Sequence, residues 1–311
     1  MYKSFGLIEQ HFHGAFGVDF MDCSVNDITD VSVEILKYGI TRIYPTLMTG
    51  DISVIKSQTE KIKKAAANQP HESAKISGIH LEGPFISPDK AGIHDKSYIL
   101  PPTIENYLKV DDDFIKIVTL SPENDKHYQL QHYLCQKGVR VSAGHTLSSD
   151  LSHCDCATHL FNAMGGISHK VKNTVTSALL NDDLFVEVIA DGNHIIPEVL
   201  NLIFKVKPLD KIILISDALP DTLTQKSVSV FSGQKVFYKN GAFYNAEGTL
   251  GGSGMLVPQI IKRLIESPEF SCEPKSLLKM AGENILKYMN IENNGFVYFD
   301  ESFNVIKTEI I

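Results

Sequence analysis

Short apolar, β-branched runs recur along the chain at roughly 6–12, 39–46, 75–82, 114–120, 139–144, 156–161, 185–190 and 211–217, and longer amphipathic stretches separate them. Runs of that length, bounded by polar or glycine residues, read as buried strands. Between them, the segment after Asn26 has apolar residues at helical spacing and Gly39 where such a helix would end. Residues 53–69 are rich in strong helix formers and stop before Pro70. Pro197 opens another helical stretch at a position where its missing N–H costs nothing. Eight strands alternating with helices predict an α/β fold, a (β/α)8 TIM-type barrel rather than an open sheet.

The rhythm breaks at 226–248, where alternation around Asn240-Gly241 predicts a β-hairpin excursion after the eighth strand. Two helices are expected near 256–267 and 275–289, and the tail carries two strand-like runs around Asp300-Glu301-Ser302. The expected organisation is a barrel over residues 1–290, excursion included, and a small C-terminal β-element over 291–311.

The strand ends carry the chemistry. His11 and His13 close the first run, Glu82 the third, His145 the fifth, His159 the sixth and Asp217 the eighth. Each alone reads as a surface or core polar residue; together they suit a parallel barrel, which aims its last side chains at one point. Side chains at i and i+2 share a strand face, so His11 and His13 can both look inward. Glu82 lies between an apolar run and Gly83-Pro84, where a buried carboxylate is costly unless paired, and a metal removes that cost. Glu82, His145 and His159 supply three N/O ligands and leave a position open for water, the arrangement of catalytic metal sites. Such ligands favour zinc and also accept iron, manganese or cobalt, with one or two ions per chain according to whether His11 and His13 take part. Asp217 falls next to the first strand, where it can act as a general base.

Composition narrows the partners. The chain has 311 residues, 43% of them hydrophobic, enough for one large core. A net charge of -8 argues against nucleic acid or an anionic membrane as partner, and leaves room for a small anionic ligand. No apolar stretch approaches the roughly 20 residues of a membrane span, and the N-terminus lacks a signal core, so a cytoplasmic protein is expected. Five cysteines are an odd number, and no second pair joins Cys154 and Cys156 to make a four-ligand site; they read as reduced thiols.

The motifs FHG, HLEGPF, AGIH, AGHT, THLFNAM, DGNH, SDA and TLGGSG follow one another between residue 7 and about residue 254. In this order they resemble the N-acetylglucosamine-6-phosphate deacetylase family of the amidohydrolase superfamily. The resemblance implies metal-dependent hydrolysis of the N-acetyl group, giving glucosamine-6-phosphate and acetate, by a homodimer whose partner molecule is a small amino-sugar phosphate. It implies that Glu82, His145 and His159 hold the principal metal and that His11 and His13 admit a second. Asp217 matches the catalytic aspartate, and His94 a substrate-contacting donor. Asn162, Ala163 and His194 match residues around the sugar and its phosphate, and Leu250, Gly251 and Gly252 a loop that closes over it. The family carries an Arg after the NAM motif; here Lys170 stands there, able to meet a phosphate as a point charge but without the bidentate fork. The family also has β-structure ahead of the first barrel strand, so a reduced accessory β-element is expected. Two alternatives are an amidohydrolase for another N-acyl amino sugar or amide, and a barrel that binds a sugar phosphate without catalysis. Members that bridge two metals with a modified lysine fit poorly, because the fourth run offers only Lys116, mid-strand.

Overall fold

The computed structural model describes residues 1–270 and 272–311. Eight parallel strands, Leu7–Phe12, Ile40–Met48, Ile79–Glu82, Ile115–Leu120, Arg140–Ala143, Cys156–Ala157, Phe185–Ile189 and Ile212–Ile215, pair in sequence order. Past the paired segments, Asp217 N–H donates to the His11 carbonyl (3.0 Å) and His13 N–H to the Ala218 carbonyl (2.8 Å), so the sheet curls into a nearly closed TIM-like barrel. These closing bonds already bring His11, His13 and Asp217 side by side.

Local sequence explains the crossovers. Ser24 and Asp27 form a capping box that starts the helix Val25–Leu36, and Asp51 caps Ile52–Asn68 through the Ser53 N–H. The buried faces of these helices (Ile28, Val31 and Ile35; Ile55 and Ile62) pack on the barrel's outer surface. Helix–strand alternation fails once: among the described residues no helix links strands five and six. There Ser148 and Asp150 side chains accept backbone N–H groups of Asp150 and Ser152, competing with helical bonding.

Three further departures from the sequence expectation concern the edges. The excursion is not one hairpin but a four-stranded antiparallel sheet, Val228–Phe231, Gln234–Lys239, Ala242–Asn245 and Leu250–Ser253, so it reaches beyond residue 248. The late helix near 275–289 is two, Pro274–Met280 and Glu283–Met289, and the Ala281 carbonyl at the break accepts the Ile8 N–H. The tail strands Gly295–Phe299 and Val305–Ile310 gain a third partner, Tyr2–Phe5, which pairs antiparallel with the former. No helix among the described residues is long and apolar enough to cross a membrane.

The barrel interior is layered. Ile8, Tyr44, Ile117, Cys156 and Ile213 form an apolar plug, closed from below by Ile285 and Tyr288. One pleat further on, the same strands present Gln10, Thr46, Thr119 and Thr158, and this layer is hydrogen-bonded within itself. His80 Nε2 meets Thr119 Oγ1 at 2.8 Å, Thr119 meets Thr158 at 2.9 Å, and Thr158 meets Ser142 at 2.6 Å. Buried polar atoms need such partners. The candidate site rests on this layer.

Candidate active site

Glu82 is the hub of the site. Its Oε1 lies 2.9 Å from His159 Nε2, 3.2 Å from His145 Nε2 and 3.4 Å from His11 Nε2; its Oε2 lies 3.3 Å from His13 Nε2 and 3.4 Å from His94 Nε2. Asp217 stands opposite, with Oδ1 at 3.2 Å from His13 Nε2 and 3.6 Å from His11 Nε2. All seven side chains are buried.

Each is aimed by a local device. A register shift between Glu9 and Phe12 lets both Gln10 and His11 face inward, after which the pleat returns His13 to the same side. Gly83 turns the chain after Glu82 so closely past Thr49 that a Cβ there would lie 2.1 Å from Thr49 Oγ1. That hydroxyl is also the partner of His94 Nδ1, at 2.8 Å. His145, His159 and Asp217 all have positive φ (47°, 31° and 53°). Such backbone costs about 1–3 kcal/mol per residue and persists where surrounding structure enforces it, characteristically at functional sites. For Asp217 the enforcement is visible: its carbonyl accepts the Ser253 N–H at 2.9 Å, and its N–H is held by His11.

The cluster fits a divalent cation. Metal–ligand bonds of about 2.0–2.2 Å place neighbouring ligand atoms of one ion roughly 3 Å apart. Glu82 Oε1, His145 Nε2 and His159 Nε2 form a triangle of that size, with the two imidazole nitrogens 3.1 Å from each other. The His145 Nδ1–H donates to the Lys90 carbonyl (2.7 Å), which leaves Nε2 as the lone-pair nitrogen facing Glu82. His11 Nε2 is buried, has no hydrogen-bond partner, and points at Glu82 and Asp217. Two groups have ligand atoms within 4.8 Å of one another: His11, His13 and Asp217, and Glu82, His94 and His145. His159 joins the second by its distances to Glu82 and His145. His94, expected only as a substrate donor, therefore also stands among the potential ligands.

Electrostatics favours the ionised carboxylates. Burial pushes the Glu82 carboxyl up, but the charge of His11 and the close approach of the His11, His13 and His145 rings outweigh it and hold the group well below its usual range. Asp217 is likewise lowered, burial being outweighed by the bond from His13 and the charge of His11. Burial opposes charge on His13, yet its bonds to Asp217 and Glu82 raise it to about 9. Burial and the charge of His145 lower His94 to about 4, so its imidazole is neutral and keeps one N–H to donate.

Sequence reasoning missed a supporting shell. Glu187 in strand seven accepts the His11 Nδ1–H at 3.0 Å and the Gln10 amide at 2.6 Å, the carboxylate–histidine pairing that orients metal-binding imidazoles. Asp191 does the same for His194 Nδ1 at 2.9 Å, leaving His194 Nε2 4.0 Å from Asp217. The signal was there: a carboxylate inside the apolar run Phe185–Ile189.

A cavity of about 380 Å³ opens over the cluster. His13, His94, Asn162, Ala163, His194, Leu250 and Gly251 line it, and Phe231 of the excursion sheet covers His13 with rings 5.1 Å apart. Two predicted contacts fall elsewhere. Lys170 is exposed and lines a separate surface depression with Ser168 and Thr176, because the segment after Met164 runs outward over the surface. Gly252 packs behind the site: a Cβ there would lie 2.7 Å from the Asp217 carbonyl, so its role is to let the excursion sheet approach Asp217. Two other depressions, of about 580 and 570 Å³, hold no cluster of metal-ligating groups among the described residues; Lys116 lines the second, away from the site. All five cysteines are free thiols.

No family model matches the chain. Individual relatives do. N-acetylglucosamine-6-phosphate deacetylase of Bacillus subtilis is 33% identical over 298 residues, covering 92% of this chain and 75% of that protein. N-acetylgalactosamine-6-phosphate deacetylase of Escherichia coli O157:H7 is 26% identical, covering 83% and 71%. The crystal structure of N-acetylglucosamine-6-phosphate deacetylase from Thermotoga maritima superposes with a TM-score of 0.90 at 25% identity, over 99% of this chain and 87% of that one. With this barrel, this cluster and this degree of identity over nearly its whole length, the chain belongs to the N-acetylglucosamine-6-phosphate deacetylase family.

Proposed function

We propose that the protein is a metal-dependent hydrolase that removes the acetyl group of N-acetylglucosamine-6-phosphate, releasing acetate and glucosamine-6-phosphate. The observation that carries this reading is the triangle of Glu82, His145 and His159 with Asp217 facing it across a cavity of substrate size. Glu82, His145 and His159 would hold the principal ion and His11 and His13, with Asp217, a second; zinc is the first expectation for such ligands. When bound, the ion supplies Lewis acidity, acidifying water and polarising the amide carbonyl. Asp217, ionised and poised beside the cluster, takes the proton of the attacking water. His94 offers an N–H to the carbonyl oxygen, and His194, whose Nδ1–H is given to Asp191, presents Nε2 as an acceptor for a sugar hydroxyl. Asp217 then returns the proton to the departing nitrogen, so the amine leaves neutral. Asn162 and Ala163 bind the sugar phosphate, and Leu250 and Gly251 cover it. The proposal includes a cytoplasmic homodimer.

The test is acetate release from N-acetylglucosamine-6-phosphate, run beside its galacto epimer and the unphosphorylated sugar. The similarity to the E. coli galactosamine enzyme makes the epimer the necessary comparison. Preference for the gluco phosphate is the expected result; turnover of neither phosphate would end the deacetylase reading.

Metal count tests the second site. Elemental analysis at saturating supply should find more than one divalent ion per chain in the parent and one fewer in the His11→Ala, His13→Ala double variant. A stoichiometry that does not change would remove both residues from the ligand set.

A further inference from the structure

At the end of the barrel opposite the metal cluster, four consecutive strands carry a cation at or near their starts. Arg42 stands in strand two, Lys75 ahead of strand three, Lys116 in strand four and Arg140 in strand five. Pairing sets Lys75 opposite Arg42, and Arg140 opposite Ile117, the neighbour of Lys116. All four line the depression of about 570 Å³, and Asp155 is the one carboxylate among its described lining residues. That local excess runs against a chain whose net charge is -8. Arg42 is the informative member, because it is only 5% exposed. Its Nη1 donates to Ser77 Oγ at 2.8 Å and its Nη2 to the Glu292 carbonyl at 2.9 Å; both acceptors are neutral, and Nε has no partner. Burial lowers the guanidinium below its usual value. A buried cation without a counter-charge is costly, and an anion in the depression removes that cost. Lys75 is exposed, and its ammonium has no partner among the described residues. Lys116 donates to the Asp113 carbonyl at 2.6 Å and keeps two N–H bonds for a ligand. Arg140 is already engaged, by Asp155 at 3.1 Å and by the Tyr288 ring beneath it.

From this we infer that the lower end of the barrel holds a second ligand site, for a small phosphate monoester. Its phosphate meets Arg42, Lys75 and Lys116. Three cationic donors from three strands match a dianion with three free oxygens better than a carboxylate with two. The organic body lies on the apolar side of the depression, formed by Tyr44, Ile76, Phe114, Val139, Met289 and Ile291. The volume is far larger than a bare oxyanion and suits a small organic molecule. The apolar plug of Ile8, Tyr44, Ile117, Cys156 and Ile213 separates this site from the metal cluster. Binding here is read without turnover, so its failure would leave the deacetylase reading untouched.

The experiment is calorimetric titration of AMP, inorganic phosphate and adenosine into the metal-loaded protein. The parent is compared with the Lys75→Met, Lys116→Met double variant and with Lys75→Arg, Lys116→Arg. Both lysines reach the surface, so the variants should fold, and circular dichroism checks that they do. AMP should bind the parent and bind the Met variant about tenfold more weakly or worse, and the Arg variant should recover most of the loss. Adenosine should bind the parent about tenfold more weakly than AMP or worse, for want of the phosphate. Inorganic phosphate should bind more weakly than AMP, for want of the apolar contacts. Equal AMP affinity in the parent and the Met variant, as an anion held in the catalytic cavity would give, overturns the site. So does a parent that binds neither AMP nor inorganic phosphate at millimolar concentration. Adenosine bound as tightly as AMP overturns the role of the cations, and inorganic phosphate bound as tightly as AMP overturns that of the apolar wall.

Discussion

Asp217→Asn should lower kcat for acetate release by about 10²–10⁴-fold, the usual contribution of a positioned general base, while leaving the fold intact. The substitution keeps the shape of the side chain and every backbone bond that fixes the residue: its N–H to His11, its carbonyl to Ser253. It removes the one property the reaction needs, a lone pair basic enough to accept a proton from water. The carboxylate is ionised at neutral pH because the bond from His13 and the charge of His11 outweigh its burial; an amide has no such state. Glu82, His145 and His159 do not depend on Asp217 for their mutual geometry, so the principal ion should stay bound, and any loss of metal should be confined to the group containing His11 and His13. Initial rates, elemental analysis and thermal unfolding on one preparation separate these effects. Near-parental turnover in the variant would remove Asp217 from the proton path; lost turnover with both ions lost and a lowered Tm would mean that the residue is structural.

The sequence made the barrel and the ligand types readable for one physical reason. Five of the eight barrel strands, the first, third, fifth, sixth and eighth, run into a His, Glu or Asp where the interior turns polar, whereas the second and fourth run into Thr49 and Ser121. What it could not display was how those residues are turned. His145, His159 and Asp217 point inward because they sit in left-handed backbone, which nothing in AGHT, THLF or SDAL announces. His11 faces the barrel interior together with Gln10 because of a register shift, where strict alternation would have put the two on opposite faces. Glu187 reads in the sequence as one more residue of an apolar strand, and only the folded barrel places His11 and Gln10 on its two oxygens. Lys170 is the reverse case: its place in the motif order suggested a phosphate contact, but motif order does not say which way a surface segment runs, and it runs away from the cavity. Tyr2–Phe5 was invisible for another reason, since four half-exposed residues carry too little pattern to be told from a tail.

Glu82→Gln should remove both metal and activity, with metal affinity falling by more than the roughly 10- to 100-fold typical of changing a supporting residue, because here the ligand itself loses its charge. One carboxylate faces the nitrogens of His11, His13, His94, His145 and His159. Neutralising it weakens both ligand groups at once, unlike loss of any single imidazole. A second consequence concerns stability in the presence of chelator. Burial raises the Glu82 carboxyl, but His11 and the surrounding imidazole bonds hold it well below its usual 4.5. A group depressed on folding contributes stability that is present above its unfolded pKa and is lost as pH falls through the folded one. The difference in Tm between parent and Glu82→Gln should therefore be full at neutral pH and shrink in acid below about 4.5, as protonation of the parent's carboxyl removes the charge that Gln never has. Circular dichroism at neutral pH establishes that the variant is folded before metal content is compared. A folded variant that keeps the parental metal stoichiometry would exclude Glu82 as the hub, and a Tm difference that does not vary with pH would show that its charge is not what stabilises the cluster.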